Sequence, residues 1–309
     1  MTTPVSTPSR PPGRVHGWLS SPVVLRRLAV ATLVANVVLV VTGGLVRLTN
    51  SGLGCPTWPT CTDHTLTPTK AYAIHGLIEF TNRQLTFVLG LLALLTAIAA
   101  YRQKRQVGLA MVALGGIPAQ AVLGGITVLT DLNPYAVASH LLLSMLVIAA
   151  YALLVWRLSD GHALAVPAAV RWLAIGLTTV AWVVLSLGTV VTGSGPHAGD
   201  LKAGTLHRIH LTPVATTQLH ADAVWVLIGL TVGVLGLSYA LDAAAALRPA
   251  VWALFGIELA QGLIGYTQYF LHVPPALVAT HMLGACLVWL AALRVLFLVE
   301  PRAAATTPG

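Results

Sequence analysis

Eight long apolar segments constrain this chain more than any other feature of its sequence. They lie near residues 26–47, 72–101, 107–129, 134–156, 171–193, 213–241, 249–270 and 275–298. Each is long enough to cross the hydrocarbon core of a bilayer, which takes about 20 apolar residues in a helix. Only 8% of the residues are charged, whereas a water-soluble domain carries about 25%. The sequence therefore predicts an all-α integral membrane protein with eight transmembrane helices.

The basic residues predict how these helices are oriented. Cytoplasmic loops of membrane proteins are enriched in Lys and Arg, and 12 of the 17 basic residues lie on the side that holds both termini. We therefore expect both termini in the cytoplasm and lipid around the helices. The net charge of +8 forms no continuous stripe, which argues against nucleic acid as a partner.

Both ends of the chain are expected to be tails. Residues 1–25 are rich in Ser, Pro and Thr and contain no acid, a composition that would also suit a transit peptide. The prolines disfavour the amphipathic helix of such a peptide. We therefore predict a disordered cytoplasmic tail over 1–25 and a second cytoplasmic tail over 299–309.

The two halves of the chain share an internal repeat. Five residues recur 141 positions later, namely Gln120, Gly124, Pro134, Ala138 and His140 as Gln261, Gly265, Pro275, Ala279 and His281. Because four helices return the chain to its starting side, both halves have the same orientation in the membrane. We predict two pseudo-symmetric four-helix bundles, 26–157 and 171–298, each with a site between facing helices.

Ionisable residues inside the apolar segments are costly to bury and are therefore candidates for function. Glu79, His140, His220 and His281 fall in the four even-numbered segments, each six to eight residues past the start. At about 1.5 Å per residue, all four lie roughly 10–12 Å from the outer end. Four unrelated buried groups would not be expected to share one depth.

Histidines on facing helices are typical of a haem-iron site. A zinc site would need a further Cys or carboxylate ligand nearby, and proton pathways use acids more than histidines. His220 and His281 provide an axial pair in the second half. Small residues near them leave room for a flat macrocycle, namely Ala215, Ala221, Ala279 and Gly284. The alternative is that these are core histidines bonded to neighbouring helices.

Haem propionates are anionic and need cations or water. The candidate partners at the outer ends and loops are Arg47, Arg83, Lys202 and Arg208, through charge-assisted hydrogen bonds. Lys202 and Arg208 are equally well explained as solvated loop charges, whereas Arg83 lies well inside the second segment. The outer loop between the fifth and sixth segments contains His197, His207 and His210. A solvated loop is a simpler interpretation of these histidines than a metal site.

Glu79 is the acid with the most informative position. It lies one helical turn from both His75 and Asn82 in an apolar segment, where it is placed for proton or cation chemistry. The alternative is a helix–helix hydrogen bond or an ion pair with Arg83. Glu258 lies near the cytoplasmic half of the seventh segment, and we interpret it as structural.

Two of the three cysteines are close together in the first outer loop. Cys55 and Cys61 flank the sequence CPTWPTC, in a compartment that permits disulfides. We predict a disulfide, with two free thiols as the alternative. Cys286 lies inside the eighth segment and is most simply a small core residue.

These residues together resemble the haem A synthase family. The resemblance rests on Thr42-Gly43-Gly44-Leu45-Val46-Arg47-Leu48-Thr49, on Ser51-Gly52-Leu53-Gly54-Cys55-Pro56 with Trp58, Pro59 and Cys61, and on Ile78-Glu79-Phe80. The single histidine in each of the fourth, sixth and eighth segments is similar too. The resemblance covers residues 26–298.

The resemblance implies haem b on His220 and His281 in the C-terminal half. It implies that the N-terminal half binds the substrate haem O, with His140 as an axial ligand and Glu79 as the catalytic residue. The implied reaction oxidises a methyl group of haem O stepwise to a formyl group, which makes haem A for cytochrome oxidase. A haem O synthase and cytochrome oxidase assembly are the implied partners, in a bacterial plasma membrane that the chain crosses several times. A homo-oligomer is also compatible with the sequence.

Two features depart from the family pattern. Many members carry a histidine three residues after the glutamate, where this chain has Asn82, a poor ligand for haem iron. We favour an N-terminal site in which His140 binds alone and the opposite position stays open. In the alternative, His75 takes that role from one turn before Glu79. The loop between the fifth and sixth segments also lacks the second cysteine pair of some members.

Three other functions fit parts of the same pattern. A b-type cytochrome that only transfers electrons would share the histidine pair, but it would not need Glu79 beside an incomplete ligand set. A transporter would have broken helices at matching positions, yet Pro118 in the third segment corresponds to Leu259 in the seventh. An assembly subunit whose histidines bind nothing would have no haem absorbance.

Overall fold

The computed structural model describes residues 17–69, 73–159, 163–200 and 208–300. Its eight long helices are α1 (Pro22–Leu48), α2 (Ala73–Arg102), α3 (Val107–Leu129), α4 (Pro134–Leu158), α5 (Ala168–Ser194), α6 (Pro213–Ala240), α7 (Arg248–Phe270) and α8 (Pro275–Val299). A short 3-10 helix, Asp242–Leu247, precedes α7. These ranges contain eight helices long and apolar enough to cross a membrane, and no strand. The predicted all-helical membrane class is confirmed.

Proline marks the start of five of the eight helices. A proline occupies one of the first two positions of α1, α4, α6, α7 and α8. The first turn of a helix has no internal acceptor for its N–H groups, so the missing N–H of proline costs nothing there, and its fixed φ suits the helix. The prolines therefore help to define where these five helices start, close to the starts of the predicted segments.

The N-terminal end of α1 differs from the predicted disordered tail. Leu19 and Leu25 are buried, and the Gln103 amide donates hydrogen bonds to the carbonyls of Leu19 (2.8 Å) and Ser21 (3.0 Å). Residues 17–25 are therefore ordered, because the turn after α2 binds their backbone. At the other end, α8 reaches Val299. The remaining tail predictions fall on residues 1–16 and 301–309, outside the described residues.

The helices pack as a first set, α1–α4, and a second set, α5–α8. In the first set, α1 and α3 each pack against both α2 and α4; in the second, α5 and α7 each pack against both α6 and α8. The sets meet where α8 packs against α1 and α4, and where α4 packs against α5. At this junction the buried Trp289 indole of α8 donates to the Met145 carbonyl of α4 at 2.9 Å.

Apolar side chains fill the interior of each set and also cover its outside. Phe87, Val112 and Leu263 are exposed by 72%, 72% and 71%, and many other large apolar side chains are exposed. A continuous apolar surface of this kind is unfavourable in water and suits the hydrocarbon of a bilayer. Together with the eight helices, it supports the predicted location as a multi-pass membrane protein.

Candidate functional site

The second set brings His220 of α6 and His281 of α8 together from opposite corners. Both α6 and α8 pack against α5 and α7, so the two histidines come from diagonally opposite helices of the set. A Cβ atom built on Gly188 of α5 would lie 3.4 Å from His220 Cε1, and one built on Gly265 of α7 would lie 3.5 Å from His281 Cε1. The Gln261 amide donates to the His281 carbonyl at 2.9 Å. The two glycines thus let both imidazoles lie directly against the neighbouring helix backbones.

The first set repeats this arrangement with one change. His140 of α4 lies against Gly124 of α3, where a Cβ would be 3.2 Å from Cε1, and the Gln120 amide donates to the His140 carbonyl at 3.2 Å. On α2, however, the side chain next to a glycine of the preceding helix is Asn82, with Nδ2 3.9 Å from a Cβ built on Gly43. The first set therefore presents one histidine and one amide, where the second presents two histidines.

Buried polar atoms without partners test whether these residues fit haem iron. The Nδ1 atoms of His140 and His281 and the Oδ1 atom of Asn82 are buried and have no hydrogen-bond partner among the described residues. Core histidines are expected to be hydrogen-bonded, because burying an unpaired polar group costs free energy. The unpaired imidazoles are compatible with axial ligands of haem iron, because no protein group occupies these ring nitrogens.

A site for a bare metal ion is not formed in the part of the chain that the structure describes. Those residues contain no group of three or more His, Cys, Asp or Glu side chains that could hold an ion. The donor set of the second set of helices is two imidazoles from facing helices, which is the arrangement that a bis-histidine haem uses.

The loop between α1 and α2 enters the first set, and Arg83 holds it there. Arg83 Nη1 donates to the carbonyls of Thr57 (2.9 Å) and Thr60 (3.0 Å), and Nη2 donates to the Cys55 carbonyl (2.8 Å). Arg83 lies ten residues after the start of α2, which is about 15 Å along the helix. Non-helical backbone at this depth must be satisfied by protein groups, and one guanidinium satisfies three carbonyls.

Glu79 balances the charge of Arg83 and anchors the same loop. Its Oε1 accepts hydrogen bonds from Arg83 Nε at 3.1 Å and from Nη2, and its Oε2 accepts from the Cys55 backbone N–H at 2.7 Å. The side chain is buried. The ion pair considered from the sequence is therefore present, and it avoids the large cost of an unpaired charge in the membrane.

These contacts correct the prediction that Arg83 pairs with a propionate. A guanidinium has five N–H donors, and those of Arg83 all have acceptors on Glu79 or the loop backbone. None is left for a ligand in this arrangement. Arg83 is instead the residue that connects Glu79 to the inserted loop.

The predicted disulfide between Cys55 and Cys61 is present, with both sulfur-bearing side chains buried. The segment that it closes carries Trp58, whose indole lies on Gly125 of α3, where a Cβ would be 2.5 Å from Cδ2. The disulfide, Arg83 and this glycine together fix the loop against α2 and α3. Cys286 is a buried free cysteine, as predicted.

His75 does not join the ligand positions. Its Nδ1 lies 3.0 Å from Ser51 Oγ of the first loop, and the residue is exposed. The alternative in which His75 replaces the missing histidine is therefore not supported. The side chain at the equivalent of the α6 histidine is Asn82.

Arg47 of α1 and several predicted residues of the outer loop between α5 and α6 bind backbone carbonyls. Arg47 and Arg208 both donate to the Thr192 carbonyl, at 2.8 and 3.3 Å, and Arg47 Nε donates to the His197 carbonyl at 2.6 Å. The His197 ring in turn lies 2.8 Å from the Val273 carbonyl. Two of the predicted residues, Lys202 and His207, lie outside the described residues, and His210 is exposed.

Glu258 is a second buried acid, away from the histidines. Its Oε1 accepts a hydrogen bond from Thr231 of α6 at 2.9 Å, and the side chain is 2% exposed. This bond joins α6 to α7. It matches the predicted structural role.

Sequence reasoning did not identify Gly43, Gly188 and Gly125 as contacts of ring or amide side chains. Glycine inside a helix costs about 1 kcal/mol relative to alanine, so its presence there can indicate a close approach of another group. The chain has 28 glycines, and the sequence does not show which of them make such contacts.

Known proteins are similar to this chain over most of its length. A family model described as COX15-CtaA, cytochrome oxidase assembly protein, matches residues 26–293. The haem A synthase of Lysinibacillus sphaericus is 30% identical over 178 residues, which cover 54% of this chain and 57% of that protein. The haem A synthase of Bradyrhizobium diazoefficiens is 29% identical over 231 residues, which cover 62% of this chain and 61% of that protein.

A third relative has a different name. The protohaem IX farnesyltransferase of Thermus thermophilus is 32% identical over 282 residues, which cover 82% of this chain and 45% of that protein. The chain thus spans about 60% of the two haem A synthases and less than half of this protein. All three relatives are bacterial, which supports the predicted bacterial membrane.

The family match begins in α1 and ends in α8, so it contains the inserted loop, Glu79 and all three histidines of the two sites. The resemblance seen in the sequence is confirmed: this chain belongs to the COX15-CtaA family of cytochrome oxidase assembly proteins.

Proposed function

We propose that this protein is a haem A synthase, which oxidises a methyl group of haem O to a formyl group and so makes haem A for cytochrome oxidase. The observation that carries the proposal is the difference between the two sites. The second set has a complete histidine pair, His220 and His281, and the first has His140 opposite Asn82. One site suits a cofactor that stays bound, and the other suits a substrate.

In this proposal the two sets of helices are pseudo-symmetric four-helix bundles with both termini in the cytoplasm. Supporting this, helix neighbours are the same in both sets. The 141-residue repeat also recurs as matching contacts, because Gln120 and Gln261 donate to the carbonyls of His140 and His281.

The second set would hold haem b between His220 and His281. When bound, haem b supplies one-electron redox chemistry. The protein's own contribution is to orient both imidazoles, through the glycines beneath them and the Gln261 hydrogen bond. The apolar helices exclude water from the site.

The first set would bind haem O through His140. Asn82 is a poor iron ligand, so the opposite face of the substrate stays accessible. Glu79 is the proposed catalytic residue, which stabilises positive charge on the substrate or accepts a proton from it. Two N–H groups of Arg83 and the Cys55 N–H hold its carboxylate in one orientation, so the acid is pre-organised for either role.

The proposed partners are a haem O synthase and the assembly of cytochrome oxidase. The Thermus relative supports the first, since a protein named protohaem IX farnesyltransferase contains a region similar to 82% of this chain. Direct hand-over of haem O would keep an apolar substrate out of water. Self-association as a homo-oligomer stays a prediction.

The test is to express the full chain with a source of haem O, purify it in detergent, extract the haems in acid and separate them. We expect haem A from the wild type, and haem B with haem O but no haem A from Glu79→Ala. Loss of a catalytic acid or base costs about 10²–10⁴-fold in rate. Glu258→Gln is the matched control, because it changes a buried glutamate in the other set and should keep haem A formation.

Two results would contradict the proposal. Haem A at the wild-type level from Glu79→Ala would remove the catalytic role of this acid. Haem B alone from every variant, with haem O supplied, would instead favour a b-type cytochrome that only transfers electrons.

A further inference from the structure

A small cavity lies between the two sets of helices at their outer end. Its lining includes Arg47 of α1, Ala138 and Leu141 of α4, Thr189 and Thr192 of α5, and Arg208 from the loop before α6. Its volume is about 30 Å³. That is about twice the 10–15 Å³ that such a cavity needs to hold one water molecule, so it has room for a small group such as a carboxylate.

The charge around this cavity is unbalanced. Arg47 and Arg208 both donate to the one Thr192 carbonyl, which brings two positive charges together. Burial lowers the pKa of Arg208, yet guanidinium groups stay charged in proteins. The ion pairs among the described residues are Arg83–Glu79 and Arg171–Glu300, so neither cavity arginine has a carboxylate partner there.

The cavity is adjacent to both histidine sites. Val137 of the lining lies one helical turn before His140 on α4, and Thr192 lies one turn after Gly188, on which the His220 ring lies. The polar part of the lining, apart from Arg47, comes from the second set and its loop, while α4 contributes apolar side chains. An anionic group that reaches the cavity therefore comes most directly from a ligand of the second set.

We propose that this cavity binds a propionate of the haem held by His220 and His281, with Arg47 reaching across from the first set. The proposal rests on the proposed function, because it takes haem b as the ligand of the second set. Two guanidiniums provide the paired N–H donors that a carboxylate accepts. The first set thereby helps to hold the cofactor of the second, and the propionate lies between the two haem sites.

The test uses the purified full chain, depleted of haem, and two porphyrins. Haem b carries free propionates, and its dimethyl ester has the same ring and iron but no carboxylate charge. We expect Arg47→Gln and Arg208→Gln each to weaken haem b binding about tenfold, as for loss of a hydrogen bond to a charged group, measured by Soret absorbance. Neither substitution should change binding of the ester.

Arg171→Gln is the matched control, because it removes an arginine paired with Glu300 at 3.5 Å, at the opposite end of the helices. It should bind both porphyrins as the wild type does. If Arg47→Gln does not fold, Arg47→Lys keeps the charge but loses the planar fork and should bind haem b with intermediate affinity. The midpoint potential of the bound haem, lower when a cation is removed, gives a second measurement.

Each other outcome overturns the proposal. Equal weakening with haem b and its ester, or none with either, would mean that the arginines do not meet a propionate. A lipid phosphate is the rival oxyanion. It would be the ligand if phosphatidylglycerol nanodiscs, without haem, raised the melting temperature of the wild type but not of Arg47→Gln. A wild type that binds neither porphyrin would refute the proposed function as well.

Discussion

The two sets of helices have the same packing but differ in the polar side chains on their second helix. Both place a histidine on the fourth helix against a glycine of the third, and both fix its backbone with a glutamine. On the second helix, the second set has His220 where the first has Asn82. The comparison teaches that the same helix packing is used twice and that one side chain distinguishes the two sets. In the proposed function, this side chain decides whether the haem has a second histidine ligand.

The inserted loop is the other difference. Glu79 and Arg83 stand three residues before and one residue after Asn82, and at the same distances from the α6 histidine stand Thr217 and Ala221. The first set alone thus has the ion pair that holds a loop at membrane depth. Charged residues are costly there, so the presence of this ion pair in the first set and not at the matching positions of the second points to a role specific to the proposed substrate site.

The largest effect should come from breaking the histidine pair. We expect His281→Ala to reduce the haem b retained on purification by at least about tenfold. The substitution removes one of the two proposed axial ligands, so only the His220 imidazole would remain to bind the iron. The pyridine haemochrome of the purified protein measures it. His210→Ala changes an exposed histidine and should retain haem fully. Full haem in His281→Ala would mean that the second set is not a bis-histidine site.

A smaller effect is expected from making the two sets alike. In Asn82→His the first set would have two histidines, and haem O bound there should become six-coordinate and low-spin. We expect haem A formation to continue, because many members of the family carry a histidine at this position. Optical and electron paramagnetic resonance spectra report the coordination. Unchanged spectra would mean that position 82 does not face the iron.

The smallest effect should come from the loop contact. A methyl group at Gly125 would overlap the Trp58 indole, and we expect Gly125→Ala to reduce stability by about 1–3 kcal/mol through overpacking and to slow haem A formation several-fold. Gly115→Ala, on the same helix, adds a methyl group that meets nothing within 4 Å. Its melting temperature should be unchanged or slightly higher. Equal melting temperatures for both variants would show that the indole does not need this contact.

Much of the fold was predictable because its causes are local. Helix length, hydropathy and prolines at helix starts act within one segment, so the eight segments agree with α1–α8 to within a few residues. The positions of Glu79, His140, His220 and His281 within their helices followed from counting along each segment. The end of the N-terminal tail could not be predicted in this way. The Leu19 carbonyl accepts a hydrogen bond from the Gln103 amide, 84 residues away in the sequence.

The sequence by itself therefore determined the membrane class and the repeat, and it gave the haem ligands as a prediction. Tertiary structure alone decided which charges remain available to a ligand. Arg83 and Arg47 look alike in the sequence as outer-side cations, but Arg83 has all its N–H donors on Glu79 and a loop 23–28 residues away. Arg47 instead meets Thr192 across 145 residues, beside Arg208. These contacts depend on how helices and loops distant in sequence pack together. They therefore cannot be predicted from the pattern within one segment.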